Sequence, residues 1–170
     1  MPESTGQGRR LNTSKITFYK PTGNGNDVGP LKIQKGKDAR NNKGFWVEFI
    51  AGQAPVFVAE SHWVGFDFDG TISSNDNKGH FEPPYPLGEP IPEMVATAKS
   101  LLTAGVTVKI FTARASDPSN IPAIRDWTER HGLGQLEVTD RKDFNLIRFF
   151  DDRAIPMITN QTSSYYQFYE

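Results

Sequence analysis

The 170-residue chain contains no cysteine. That absence excludes thiol nucleophiles, disulfides and thiolate-bound zinc. Its three histidines, His62, His80 and His131, fall at spacings that match no metal-ligand pattern, so a zinc-centred or histidine-centred mechanism is not expected. No apolar run is long and uncharged enough for a transmembrane helix, and the polar start Met1-Pro2-Glu3-Ser4-Thr5 lacks the apolar core of a signal peptide. A cytoplasmic protein with no membrane partner is the expectation. The Gly/Asn-rich stretch Gly23 to Asp27 is not followed by Gly-Lys-Ser/Thr and reads as a turn, not a phosphate-binding loop.

Net charge is also nearly absent, at -1, but this conceals an asymmetry. Residues 1–45 carry nine Lys or Arg against three acids, giving +6, and the remainder carries -7. A basic segment on an acidic body is either a solvated arm or an electrostatic handle, which makes nucleic-acid contact through residues 1–45 a candidate interaction. The length suits one domain with an appendage.

What the chain does have is Trp63-Val64-Gly65-Phe66-Asp67-Phe68-Asp69-Gly70-Thr71, an apolar strand-like run ending in two carboxylates and a glycine. Side chains alternate along extended backbone, so Asp67 and Asp69 share a face. Two anions held together call for a cation between them or a retained proton, and a hard divalent cation answers that need. Strand ends are also where open α/β sheets build their sites. An Asp-rich turn closed by Gly70 is the plain alternative.

Downstream patterning supplies context. Met94 to Ala104 has apolar residues at helical spacing between Pro92 and Gly105, and Ile121 to His131 places Ile124, Trp127 and His131 on one face before Gly132. Val106 to Phe111, Leu136 to Val138 and Ile147 to Phe150 read as strands, with a helical turn over Asp143 to Leu146. Upstream, Ile16 to Tyr19, Leu31 to Ile33, Phe45 to Ile50 and Pro55 to Ala59 read as short strands. The alternation predicts an α/β class with a mostly parallel sheet. The expected organisation is a basic, partly β or disordered extension over residues 1–57 and a main α/β domain over 58–170, interrupted by a Pro/Gly-rich flap at 73–92. Lys78, His80, Phe81 and Tyr85 in that flap are candidates for touching a base or phosphate. Tyr165, Tyr166, Phe168 and Tyr169 make the C-terminal tail aromatic enough to dock on the body or on a second subunit.

Polar residues follow three of these strands: Asp67 and Asp69, then Thr112 with Arg114 beyond it, then Asp151 and Asp152. In that order, and with Lys142 between the last two, they resemble the four motifs of the haloacid dehalogenase-like hydrolase superfamily across residues 63 to 158. The likeness is nearest to short, capless members of bacteriophage and bacterial genomes, and Arg141-Lys142-Asp143 with Asp151-Asp152-Arg153 is similar to the phosphatase domain of polynucleotide kinases.

The resemblance implies a Rossmann-like three-layer sandwich without a large cap and a Mg2+-dependent phosphomonoesterase. Asp67 would be the nucleophile and Asp69 the acid and base, with Thr112 and Lys142 holding phosphoryl oxygens. Gly70 and Arg114 would assist in binding substrate. The metal would be held by Asp67, the Asp69 backbone carbonyl, Asp151 and Asp152. An acid two residues after the nucleophile favours phosphate over carbon–halogen chemistry. The implied substrate is a phosphorylated small molecule, a nucleotide or a nucleic-acid end. The competing reading is a nucleic-acid-binding or structural accessory whose hydrolase-like domain is not catalytic.

Overall fold

The computed structural model describes residues 31–75, 86–155 and 157. The expected strand at 16–19, the loop at 23–27, the flap residues Lys78 to Tyr85 and the aromatic tail lie outside them. The fold is mixed α/β, with a three-stranded antiparallel sheet and a four-stranded parallel sheet. The first comprises β1 (Lys32–Lys37), β2 (Lys43–Glu48) and β3 (Val56–Ala59) in sequential order. The second runs β6-β5-β4-β7, from β4 (Trp63–Phe66), β5 (Thr107–Phe111), β6 (Glu137–Thr139) and β7 (Leu146–Phe150). Helix α1 (Pro92–Ala104) joins β4 to β5, and α2 (Ile121–Arg130) leads into β6.

Both helices end where the residues dictate. Proline lies in the first turn of each, where its missing N–H costs nothing, and Gly105 closes α1 at φ 100°, a left-handed conformation suited to glycine. Val64 and Phe66 on β4, Val108 and Ile110 on β5, and Val138 on β6 point to one side of the parallel sheet. There they enter a single core with Val95, Ala98 and Leu101 of α1 and Ile124 and Trp127 of α2. Right-handed crossovers explain why the helices share this side, since both connections step in the same direction across the sheet.

The β6–β7 connection steps back over β5 and β4, and it contains no helix, only the segment 140–145. Among the described residues, helices therefore cover one side of the parallel sheet. On the other side Trp63, Phe111 and Phe149 meet edge to face (5.6 to 6.3 Å between ring centroids). Gly65 leaves room for them, because a Cβ there would lie 3.0 Å from the Trp63 ring and 3.3 Å from both Phe111 and Phe149. The returning segment straps this side: the Trp63 indole N–H donates to Asp143 Oδ1 at 2.8 Å, and Lys142 Nζ lies 5.2 Å from the Phe149 ring centroid.

Ile33, Phe45, Val47 and Val58 of the antiparallel sheet belong to the same apolar core as the helices. The division expected between residues 57 and 58 falls inside β3. The helical turn expected at Asp143 to Leu146 is a non-helical turn, because the Asp143 carboxylate takes the N–H groups of Asn145 and Leu146 (2.8 and 3.2 Å) before a helix can start. His62 accepts the Ala59 N–H on Nδ1, and His131 caps α2 with its ring 4.4 Å from Trp127, which gives both histidines structural work. Among the described residues, no helix is long and apolar enough to cross a membrane.

Candidate functional site

β4 lies between β5 and β7, and the strand order reverses between β4 and β7: the helical connections run outward from β4 on one side, and β7 is added on the other. Such a switch point opens a crevice at the carboxyl ends of the strands. A cavity of about 550 Å³ occupies it, lined by Asp67, Asp69, Thr112, Arg114, Asp151 and Arg153 among others. Asp67 emerges directly from β4, its N–H donating to the Phe150 carbonyl at 2.9 Å, so β4 and β7 hand their carboxylates to the same place.

The residues after Asp67 turn sharply. Phe68 is fully buried against Trp127 (5.0 Å, 77°), and its carbonyl accepts the N–H groups of Thr71, Ile72 and Ser73. Gly70 sits at φ 85°, and a Cβ there would lie 2.6 Å from Asp152 Oδ2. Thr71 completes the bracket: its hydroxyl accepts the Asp152 N–H at 3.0 Å and donates to Asp152 Oδ1 at 3.3 Å. The Gly-Thr pair thus fixes Asp152, a role that the sequence alone does not reveal. Gly70→Ala is expected to cost about 1–2 kcal/mol through its left-handed backbone. By pushing Asp152 aside it should also lower any metal-dependent turnover at least roughly tenfold, the equivalent of about 1.4 kcal/mol. A thermal melt beside a turnover assay separates the two effects.

One ligand oxygen each from Asp67, Asp151 and Asp152 lies within 4.8 Å of the others. At that separation two carboxylates repel by about 3–4 kcal/mol for an effective dielectric near 20. Burial pushes the Asp67 carboxyl up to about 7; the Phe68 backbone N–H pulls it back, and the charges of Asp151, Asp152 and Asp69 add to the rise. Three hard oxygens around a partly buried, proton-retaining carboxylate fit a divalent cation such as Mg2+, which keeps several waters and needs few protein oxygens. Asp151 is positioned in part by the Arg153 backbone N–H, which donates to its Oδ1 at 2.8 Å.

Asp69 is not part of that triad. Its carboxylate is held by Arg114, with Nε 2.6 Å from Oδ2 and Nη2 2.7 Å from Oδ1, a two-pronged pair that is partly shielded from solvent. The same Nη2 donates to the Pro86 carbonyl at 3.0 Å, and the guanidinium lies 5.8 Å from the Phe68 ring centroid. Thr112 lines the cavity and is 3% exposed; its hydroxyl accepts the Arg114 N–H at 3.2 Å.

Asp67, Asp69, Thr112, Arg114 and Asp151 therefore line one cavity, and Asp152 reaches it as part of the acidic triad. Lys142 is not brought to the cavity wall. It is exposed, over Phe149 on the strapped side of the sheet, and Arg141 beside it is exposed as well. Among the described residues, the cations lining the cavity are Arg114 and Arg153. Arg153 is visible in the sequence as the residue after Asp151-Asp152, within the stretch similar to the phosphatase domain of polynucleotide kinases, but nothing local assigns it a place at the cavity. Comparison with protein-family models, with curated proteins and with solved structures returned no match for this chain.

Proposed function

We propose that the chain is a Mg2+-dependent phosphomonoester hydrolase of the haloacid dehalogenase-like kind. The observation that carries this reading is the convergence of Asp67, Asp151 and Asp152 at the strand ends, with Thr112, Asp69 and Arg114 across the same cavity. The strand order and its switch point support the Rossmann-like part of the reading; a third layer has no helix among the described residues.

In this chemistry the Asp67 carboxylate attacks phosphorus and forms an aspartyl-phosphate, while the bond to the leaving oxygen breaks. Asp69 enters this step in its acid form, once the Arg114 guanidinium that grips it turns to the phosphoryl oxygens, and gives the leaving oxygen a proton. It then takes a proton from the water that attacks the intermediate, releasing orthophosphate and restoring Asp67. The Thr112 hydroxyl and the guanidinium groups of Arg114 and Arg153 face the phosphoryl oxygens. A bound Mg2+, held by Asp67, Asp151 and Asp152, would supply charge neutralisation on those oxygens. The cavity volume suits a ligand of mononucleotide size or a nucleic-acid terminal phosphate.

The direct test is phosphate release from a generic aryl phosphate, from nucleoside monophosphates and from 3′-phosphorylated oligonucleotides. Activity is expected with Mg2+ and is expected to vanish on chelation. Turnover that survives both chelation and loss of Asp67 would overturn the reading. The two cation candidates are separable by steady-state kinetics. Arg153→Ala is expected to raise KM about tenfold, as the loss of one charge-assisted contact implies. Lys142→Ala, at an exposed position over Phe149, is expected to change kcat/KM less than about threefold.

A further inference from the structure

The cavity is longer than phosphoryl chemistry alone needs. Its wall crosses the carboxyl ends of all four parallel strands: Asp140 follows β6, Thr112 follows β5, Asp67 follows β4 and Asp151 follows β7. Neighbouring strands lie about 4.8 Å apart, so the end of β6 stands about 10 Å from the end of β4. The acidic triad and Arg153 occupy the β4–β7 half. The β5–β6 half is lined by Ser116, Asp117, Asn120 and Asp140.

That second half is made of hydrogen-bond acceptors. The Asn120 side-chain N–H donates to the Arg114 carbonyl at 3.1 Å, which commits the nitrogen end of the amide to the protein and leaves its oxygen as acceptor. Asp117 takes the Ser119 N–H on Oδ1 at 3.0 Å, and this holds its carboxylate at the start of the 3₁₀ turn. Asp140 stands exposed on the rim. Arg141 Nε lies 3.9 Å from its Oδ1, but the Arg141 side chain is 91% exposed, and such a surface pair is weak. Of the two arginines lining the cavity among the described residues, Arg114 grips Asp69 and Arg153 follows β7.

The cavity is therefore polarised along the sheet. The β4–β7 half, with a metal on its triad, suits a phosphate; the β5–β6 half suits donors and repels a second anion. A carboxylate near the end of a parallel strand is how α/β folds hold sugar hydroxyls. Two carboxylates flanking an amide oxygen accept from several donors spread along a wall, which a diol offers and a single ammonium group does not. Resting on the hydrolase reading above, we propose that the substrate is a monophosphate whose leaving group carries a vicinal diol, as in a sugar or a ribonucleoside, with that diol on Asp140, Asn120 and Asp117. Asp117 and Asp140 are then specificity-determining residues. They disfavour a nucleic-acid end, whose next phosphodiester would meet the same carboxylates.

The test uses the full chain with Mg2+. An aryl phosphate without hydroxyls first reports the hydrolase alone, and no turnover of it overturns the hydrolase reading and this proposal together. With that turnover present, kcat/KM for adenosine 5′-monophosphate is expected to exceed that for its 2′-deoxy counterpart about tenfold, the worth of one hydrogen bond to a carboxylate. Asp140→Ala is expected to bring that ratio below about threefold. The ratio compares two substrates on one variant, so a general loss of activity does not mimic the effect. Should Asp140→Ala fail to fold, Asp117→Asn carries the same comparison, since asparagine keeps the hydrogen bond to Ser119. Adenosine 3′,5′-bisphosphate is expected to be at least about tenfold poorer than the monophosphate, and Asp140→Asn, which removes the charge and keeps the shape, is expected to narrow that gap. Ribose 5-phosphate used as well as the nucleotide makes the substrate a sugar phosphate, and a preference for the nucleotide makes it a ribonucleotide; both results keep the diol. The proposal is overturned, with the hydrolase intact, by equal use of the ribose and deoxyribose substrates, by a preference for the bisphosphate or a 3′-phosphorylated oligonucleotide, or by a ratio that Asp140→Ala and Asp117→Asn both leave unchanged.

Discussion

Asp67→Asn is expected to abolish phosphate release, by at least about 10⁴-fold, because the amide neither attacks phosphorus nor leaves an acyl-phosphate for water to open. The same substitution should make the metal-free protein more stable at alkaline pH. The folded-state value of about 7 lies above the ordinary 3.8. Between those values the folded chain holds a proton that the unfolded chain has lost, so stability falls as pH rises from about 4 through about 7. Taken alone, the shift would be worth about 4 kcal/mol. Asp67 is only half-buried, and solvent screening leaves on the order of 1–2 kcal/mol, or roughly 3–6 °C in Tm. Calorimetry in chelator should show Asp67→Asn melting above the parent at pH 8 and level with it below about pH 4. A variant that melts lower at both would sink the account of Asp67 as a strained, proton-retaining group. Loss of turnover with a higher melting temperature is a pairing that a merely structural aspartate would not give.

Trp127→Ala is expected to be the most damaging single change outside the acids. The side chain is 2% exposed and stacks edge to face on Phe68, and its indole N–H donates to the Gly88 carbonyl at 2.9 Å. Large-to-alanine changes at such sites cost about 3–5 kcal/mol, which lowers Tm by roughly 10 °C in a chain of this size. The damage should not stop at stability. Phe68 separates Asp67 from Asp69, and Gly88 packs against the Ser74 carbonyl where the chain returns from the turn after Asp67. Trp127→Phe keeps most of the ring and loses the hydrogen bond, so it should cost about 1 kcal/mol. Thermal melts and KM measured on both variants test this ranking.

The contrast between these residues shows what the sequence made legible. Asp67 and Asp69 could be found because two acids after an apolar strand break a strong local rule, and the helices around Leu101 and Trp127 because apolar spacing and flanking Pro and Gly agree. Asp151-Asp152 was visible for the same reason as Asp67. The side on which the helices lie follows only from strand order, and that order becomes apparent once β7 is seen to join β4 and not β6. For Lys142, a role in holding phosphate comes only from its match to the third motif of the family it resembles. Its orientation depends on how a six-residue strap crosses the sheet, which no local pattern encodes. Arg114 was expected to meet substrate; its two-pronged grip on Asp69 is a contact between strand ends, and sequence spacing does not register such contacts. The two 3₁₀ turns at Ala113–Ser116 and Pro118–Asn120 also escaped, being too short to carry a period.

The strap has a mechanical consequence. Among the described residues β7 is an edge strand, hydrogen-bonded to β4 alone, and its approach is a short segment instead of a packed helix. Edge strands with little cover are where native proteins fray first. The last carboxylates of the site ride on that strand, so anything that bridges Asp67 to Asp151 also rivets the rim of the sheet to its centre. By reciprocity, whatever loosens the rim weakens that bridge by the same free energy.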